Sequence, residues 1–217
     1  MVKNAFNSLP TEKRERILEA AAIEFALKGY ETANVKDIAL RSRISKGSLY
    51  DYFENKEDLF VAVCIYGIER SRENIDSVID DSKDFFYQVR DIFLQGFQFV
   101  VKNPHYVQLY INIASCGMER FADKITLMVE KHMSNYYKSA IGRGIKAGTI
   151  RSDVDVNMAA FLINSLYVIM MISIVSKHYR IRLGEYLEIE DHQIEQGVKD
   201  KIDQLVNLIR FSLENKP

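Results

Sequence analysis

Apolar residues recur along this chain at the three-and-four spacing that lines one side of an α-helix, and no stretch shows the strict alternation of a half-buried strand. The first stripe, Ile17, Leu18, Ala21, Ala22 and Phe25, predicts a helix from about Thr11 to Lys28. Thr11 is positioned to cap it, Glu12 and Glu15 suit the positive end of its dipole, and Gly29 supplies a left-handed stop. Val35, Ile38 and Ala39 predict a short second helix opened by an Asn34/Asp37 capping pair and ended near Arg41–Ser42. The turn Ser42-Arg43-Ile44 leads to Ser45, a good cap for a third short helix, KGSLYDYF. Asn55 with Asp58 caps a fourth, long one that continues through LFVAVCIYGIERSRENIDSVI.

The helical period persists beyond residue 82. One stripe is Phe86, Val89, Phe93, Phe97 and Val100. Asn103-Pro104 starts another helix with Val107, Tyr110, Ile111 and Ala114, and a third stripe is Ile125, Met128, His132, Met133 and Tyr136. Gly142, Gly144 and Gly148 read as helix-end residues leading to the loop TIRSDVD. A helix over about 155–180, an acidic stretch EYLEIEDHQIE, and a final amphipathic helix over about 197–214 complete the pattern. Three short helices followed by a long one predict an all-α chain. Its compact head spans 1–58 and a larger helical domain spans 59–217. No glycine- or serine-rich linker separates them, so the head and the long helix are expected to form one rigid unit.

Composition narrows the function. Hydrophobic residues make up 47% of the 217, enough for a substantial core, and only three prolines interrupt the helices. Cys64 and Cys116 stand alone without a CxxC, and His105, His132, His178 and His192 are scattered without HxxxH. A disulfide framework, a metal site and a cofactor are therefore not expected. No GxSxG, HExxH or P-loop occurs, which argues against an enzyme. The run 158–175, MAAFLINSLYVIMMISIV, holds Asn164, Ser165 and Ser173 and is short for a membrane span, so it reads as a buried interface helix. The opening residues MVKNAFNSLPTEKRER hold no apolar core of a secretory leader, and a cytoplasmic location is expected. Net charge is −1, yet residues 32–50 carry Lys36, Arg41, Arg43 and Lys46 against Asp37 alone, a local basic face.

That face coincides with the third short helix. Leu49 and Phe53 are four apart and hold it to the core, which leaves Lys46, Gly47, Ser48, Tyr50, Asp51 and Tyr52 near the outside. A helix-turn-helix puts the N-terminal turn of its second helix into the DNA major groove. Lys46 can reach a guanine edge or a phosphate, Gly47 lets the backbone come close, and tyrosine hydroxyls suit phosphates. Lys56 adds a charge at the start of the next helix, where free N–H groups attract another phosphate. Asp51 either accepts from a cytosine amino group or lies outside the groove, since the C-terminal ends of such helices swing away from the bases.

The stretch ILEAAAIEFALKGYETANVKDIALRSRISKGSLYDYFENKEDLF, residues 17–60, resembles the DNA-binding signature of the TetR family of transcriptional regulators. GIKAGTIRSDVDVNMAAF resembles that family's lead into its interface helix. The resemblance implies a homodimeric repressor of all-helical fold that binds a palindromic double-stranded operator and is released by a small effector in its C-terminal domain. It further implies that Lys46, Gly47 and Tyr50 approach bases or backbone and that Tyr52 and Lys56 hold phosphates. Together with Lys36, Arg43 and Ser48 these make the expected DNA-binding set. Two positions depart from the family. Tyr52 stands where histidine is frequent, and Arg43 where glycine is usual. A left-handed arginine costs about 1 kcal/mol, which a phosphate contact can offset.

In the larger domain, Phe93, Phe97, Tyr110, Met128, Phe161, Tyr167 and Met170 are expected to converge on a pocket for a hydrophobic effector, with Tyr110 or His132 as polar contact. For His132 a satisfied core position is the competing reading. Phe161, Leu162, Ile169, Ile172, Leu205, Val206 and Ile209 are expected at the dimer interface. A DNA-binding regulator governed by a protein partner, with no small-molecule ligand, reads identically over residues 1–60.

Overall fold

The computed structural model describes residues 2–114 and 117–215, so Cys116 lies outside the described residues. The chain is 81% helical, with no strand among the described residues. The eleven α-helices among the described residues are α1 (Asn4–Asn7), α2 (Thr11–Thr32), α3 (Val35–Arg41), α4 (Lys46–Tyr52), α5 (Lys56–Asp76), α6 (Phe85–Lys102), α7 (Pro104–Ile113), α8 (Glu119–Ala147), α9 (Val156–Val175), α10 (Lys177–Leu187) and α11 (Ile194–Leu213). They pack as two units, one of Met1–Arg70 with His105–Thr126, the other of Ser71–Pro104 with Leu127–Pro217.

The first unit is built on α2. Its apolar stripe buries Ile17, Leu18, Ala21, Ala22 and Phe25, as the spacing predicts. Gly29 breaks the helix with φ 72°, the left-handed stop expected there, and a further helical turn then runs to Thr32. The N-cap is Pro10 rather than Thr11: Thr11 already lies in the first turn, where its hydroxyl accepts from Arg14 at 3.3 Å. Asn34 caps α3 by accepting from the Lys36 N–H at 2.9 Å, while Asp37, its expected partner in the cap, instead takes the Lys28 ammonium at 3.0 Å. Asn55 accepts from the Asp58 N–H at 2.8 Å. Residues 105–126 complete this unit. Phe121 packs on Phe60 at 4.9 Å and on Tyr30 at 5.0 Å between ring centres. The Asn112 amide donates to the carbonyls of Phe25 and Ala26 at 3.2 and 3.3 Å.

The second unit sets α11 against α6 and α9, with α10 against α9. Phe86, Val89, Ile92 and Phe93 of α6 and Val198, Ile202, Val206 and Ile209 of α11 are buried where the two helices pack. Arg210 crosses the seam, donating to Asp84 at 3.1 Å with its guanidinium 4.5 Å from the Phe86 ring centre. The helix expected over 155–180 divides at Ser176, where ψ is 121°. The Arg180 guanidinium reaches back to the Ile174 carbonyl at 2.8 Å and so serves the end of α9. Gly142 and Gly144 lie inside α8, not at its end, which falls at Gly148 with φ 75°. Gly144 has a packing reason to be glycine: a Cβ there would stand 2.6 Å from the Ile150 side chain.

Candidate nucleic-acid interface

Helix α4 has seven residues, too few to be stable alone, so its pose depends on what holds its ends. The Ser45 hydroxyl accepts from the Ser48 N–H at 2.9 Å and thereby caps the N-terminus. The same hydroxyl lies 2.9 Å from that of Ser48. Leu49 and Phe53 are buried and anchor the helix. In the preceding turn, Arg43 adopts φ 56°, the left-handed region that the resemblance, with its usual glycine there, implies. Arg16 secures that turn by donating to the Ser42 carbonyl at 3.1 Å.

The charges around α4 divide into two groups. Lys28 is committed to Glu24 at 2.8 Å and to Asp37 at 3.0 Å, which raises its pKa; the hydrogen bond to Glu24 is the larger cause and that to Asp37 the next. Lys36, Arg41, Arg43 and Lys46 are exposed, and none is held in an ion pair among the described residues. Lys46 lies 5.8 Å from the Tyr50 ring centre, one turn along the same face. Tyr50 is 41% exposed and Tyr52 half-buried. Gly47 is exposed, and a Cβ there would meet only the Ser45 hydroxyl at 3.6 Å, an ordinary contact. Nothing inside the chain requires a glycine at this position.

Two expected DNA contacts have internal partners. Ser48 shares the cap with Ser45. The Lys56 ammonium donates to the Glu31 carbonyl at 2.9 Å and stands 4.8 Å from the Tyr30 ring centre, so it serves the end of α2.

The residues expected to hold an effector are distributed more widely. Phe93, Phe97 and Met170 are buried in the second unit, and Phe93 meets the Tyr167 ring edge-on at 5.4 Å. Gly96 makes room for the Tyr167 phenol: any Cβ there would overlap it. Burial raises the Tyr167 pKa above the ordinary tyrosine range. Met128 is half-buried, and its carbonyl accepts from Arg72 at 3.2 Å. His132 pairs with Asp76 at 2.8 Å. Tyr110 belongs to the first unit, and Phe161 is 69% exposed. The sequence did not single out Tyr137, which is fully buried and whose hydroxyl has no partner among the described residues. The buried Nε of Arg72 also lacks one. Met133 and Tyr137 lie four apart on α8, a spacing that marks one face but not the depth of the second residue.

The residues expected at a dimer interface divide as well. Phe161, Leu162 and Ile169 are exposed on α9, Ile172 and Leu205 are half-buried, and Val206 and Ile209 are buried within the chain. The large apolar residues that α11 does expose are Leu208 and Phe211, at 68% and 71%. Of the apolar 18-residue window within α9 only 39% is buried, although the helix is long and apolar enough to cross a membrane.

Comparison with known proteins places these features. Residues 17–63 match the family model of bacterial regulatory proteins, tetR family. The uncharacterized HTH-type transcriptional regulator YhgD of Bacillus subtilis is 26% identical over 167 residues, which cover 77% of this chain and 86% of YhgD. A TetR transcriptional regulator of Chloroflexus aurantiacus superposes with a TM-score of 0.74 at 20% identity, over 99% of this chain and 100% of that one. AibR, solved in complex with isovaleryl coenzyme A and operator DNA, superposes with a TM-score of 0.61 at 22% identity, over 90% of this chain and 97% of AibR.

Proposed function

Since the chain belongs to the TetR family of transcriptional regulators, we propose that it is a ligand-responsive repressor that binds a palindromic operator as a homodimer. Residues 1–58 form the DNA-binding domain in this reading, and 59–217 the effector-binding and dimerisation domain. The observation that carries it is the surface around α4. Four cations stand there without internal ion pairs, beside a glycine that the chain's own packing does not require. Lys46, Gly47 and Tyr50 meet bases or the adjoining backbone, and Lys36 and Arg43 meet phosphates. Tyr52 and Lys56 contribute to the same phosphate track, Lys56 while still capping α2.

The exposed apolar residues of α9 and α11 support dimerisation. Phe161, Leu162 and Ile169 of α9 and Leu208 and Phe211 of α11 are large apolar side chains that an isolated chain leaves in water. The effector is an elongated or aromatic hydrophobic molecule, such as a fatty-acyl compound or a hydrophobic drug. It lies among Phe93, Phe97, Tyr167 and Met170, with the unpartnered Tyr137 hydroxyl as a polar contact. Its binding favours a state in which α5 shifts and the two heads leave register. Such a protein works in the cytoplasm, on chromosomal DNA.

The test begins with an operator selected from a random duplex library by the purified protein. Gel-shift titrations against that duplex and a scrambled one should show preference for the operator. Both affinities should fall steeply with salt, by about 0.9 log unit per log unit for each phosphate contact. An effector found by screening must weaken operator binding by the factor by which operator weakens its own binding. No sequence preference would refute the DNA reading. Preference with no effector response would leave a regulator controlled in another way.

A further inference from the structure

A seven-residue helix leaves its last four carbonyls without intrahelical partners, and α4 presents a tyrosine-rich turn at that end. The Leu49 carbonyl is served by the Phe53 N–H at 2.9 Å. Two of the remaining three are served by the N-terminal segment. The Lys3 N–H donates to the Tyr52 carbonyl at 2.9 Å, and the Lys3 ammonium donates to the Tyr50 carbonyl at 2.7 Å. That ammonium also opposes the negative end of the helix dipole.

Packing reinforces these bonds. Val2 pairs with Phe53 as an isolated antiparallel bridge. One turn on, Phe6 is buried against Phe53 at 4.8 Å and against Tyr52 at 5.9 Å between ring centres. Lys13 approaches the Tyr52 ring at 5.8 Å, so that ring is held by residues of both α1 and α2. The segment is itself fixed to α2, since Arg14 donates to the Asn7 carbonyl at 3.0 Å.

We infer that residues 2–8 are a clamp that sets the pose of the recognition helix, with Lys3 and Phe6 as positioning residues for operator selectivity. This rests on the proposal that α4 reads DNA. Lys3 acts through the Tyr50 carbonyl, not by reaching the duplex, because its ammonium is already engaged there. A base contact depends on sub-ångström placement of the side chain on α4, whereas a phosphate contact tolerates slack. Loosening the clamp therefore lowers affinity for the operator more than affinity for arbitrary DNA.

The full chain is used for the test, with the duplex that the wild type selects from a random library and a scrambled duplex of the same length. Phe6→Ala should weaken operator binding about tenfold, the size of one impaired base contact, and leave scrambled binding unchanged within about twofold. Amide exchange at Phe53 should quicken, and Phe6→Leu should restore most of the selectivity. Lys3→Gln leaves the buried ring in place and decides the matter if Phe6→Ala does not fold. It should lower operator selectivity in the same direction without changing the salt dependence. Equal losses on both duplexes, or no loss on either, would overturn the clamp. So would a Lys3→Gln salt slope reduced by about 0.9, which would make Lys3 a phosphate contact. If the wild type selects no duplex at all, it is the DNA-binding reading that fails.

Discussion

Gly47→Ala separates what the fold needs from what a partner needs. Gly47 lies in the first turn of α4, and its Cβ would meet nothing closer than the Ser45 hydroxyl at 3.6 Å. Alanine restricts the unfolded chain and suits a helix better, a gain of up to about 0.5–1 kcal/mol in a helix interior and less in a first turn. For a chain of this size 1 kcal/mol moves the melting temperature by about 2–4 °C, so Gly47→Ala should melt at or slightly above the wild-type temperature. On DNA the sign reverses. If the backbone at 47 rests against the duplex, a methyl group must push the helix outward and loosen the contacts of Lys46 and Tyr50 together. A loss of at least about tenfold in operator affinity, equivalent to about 1.4 kcal/mol, is expected. Calorimetric melting and fluorescence anisotropy on one preparation read both quantities. A variant that binds the operator as tightly as the wild type would refute the close approach. One that melts several degrees lower would show that the chain itself requires the glycine.

Three further outcomes are expected. Phe161→Glu and Phe211→Glu each put a charge among the exposed apolar residues of α9 or α11, and sedimentation should show monomers where the wild type sediments as a dimer; a wild-type monomer at micromolar concentration would sink the interface. Gly96→Ala forces a methyl group into the Tyr167 phenol and should destabilise the chain by about 1–3 kcal/mol in urea, whereas an unchanged midpoint would place that ring elsewhere. Glu19 accepts from Tyr106 at 2.5 Å and lies 2.9 Å from His105, and its pKa is lowered from 4.5, the hydrogen bond from His105 being the largest cause. A carboxylate depressed on folding contributes stability above its unfolded pKa and loses it as pH falls through the folded one. Glu19→Gln should therefore flatten the stability profile below about pH 4.5, and an unaltered acid limb would dismiss the cluster as a contributor.

Local signals carried the head. Gly29, Asn34, Ser45 and Asn55 each declare a helix boundary through side-chain or backbone chemistry that acts within four residues, and each does so in the structure. The left-handed Arg43 was expected only through the family resemblance, which has glycine usual at that position. Longer-range features were not legible. An amphipathic stripe reveals which residues are apolar on one face but not whether that face meets the same chain or another. Val206 and Ile209 therefore looked like interface residues although they are buried within the chain, and Leu208 and Phe211 on the opposite face went unnoticed. Tyr137 was invisible for a related reason, since a phenol carries no mark of how deeply its hydroxyl is placed. The role of Lys3 and Phe6 depends on pairing across 47 residues, which no local period encodes.

The membership of residues 105–126 in the first unit bears on how far that unit can be treated as a module. Phe121 closes the aromatic cluster around Phe60, Tyr106 meets Glu19, and Asn112 takes two carbonyls of α2. The first unit is thus discontinuous, assembled from a leading segment and a second one delivered some thirty residues later. Evolution by simple exchange of an N-terminal cassette would strip those contacts and leave Phe60 and Tyr30 uncovered. A chimaera that grafts this unit onto another domain must carry both segments, or replace the second with a sequence that offers an aromatic residue, a phenol and an amide at the same three places. The stretch 105–126 is consequently not free to diverge with the rest of the second half of the chain, because it is also a wall of the first unit.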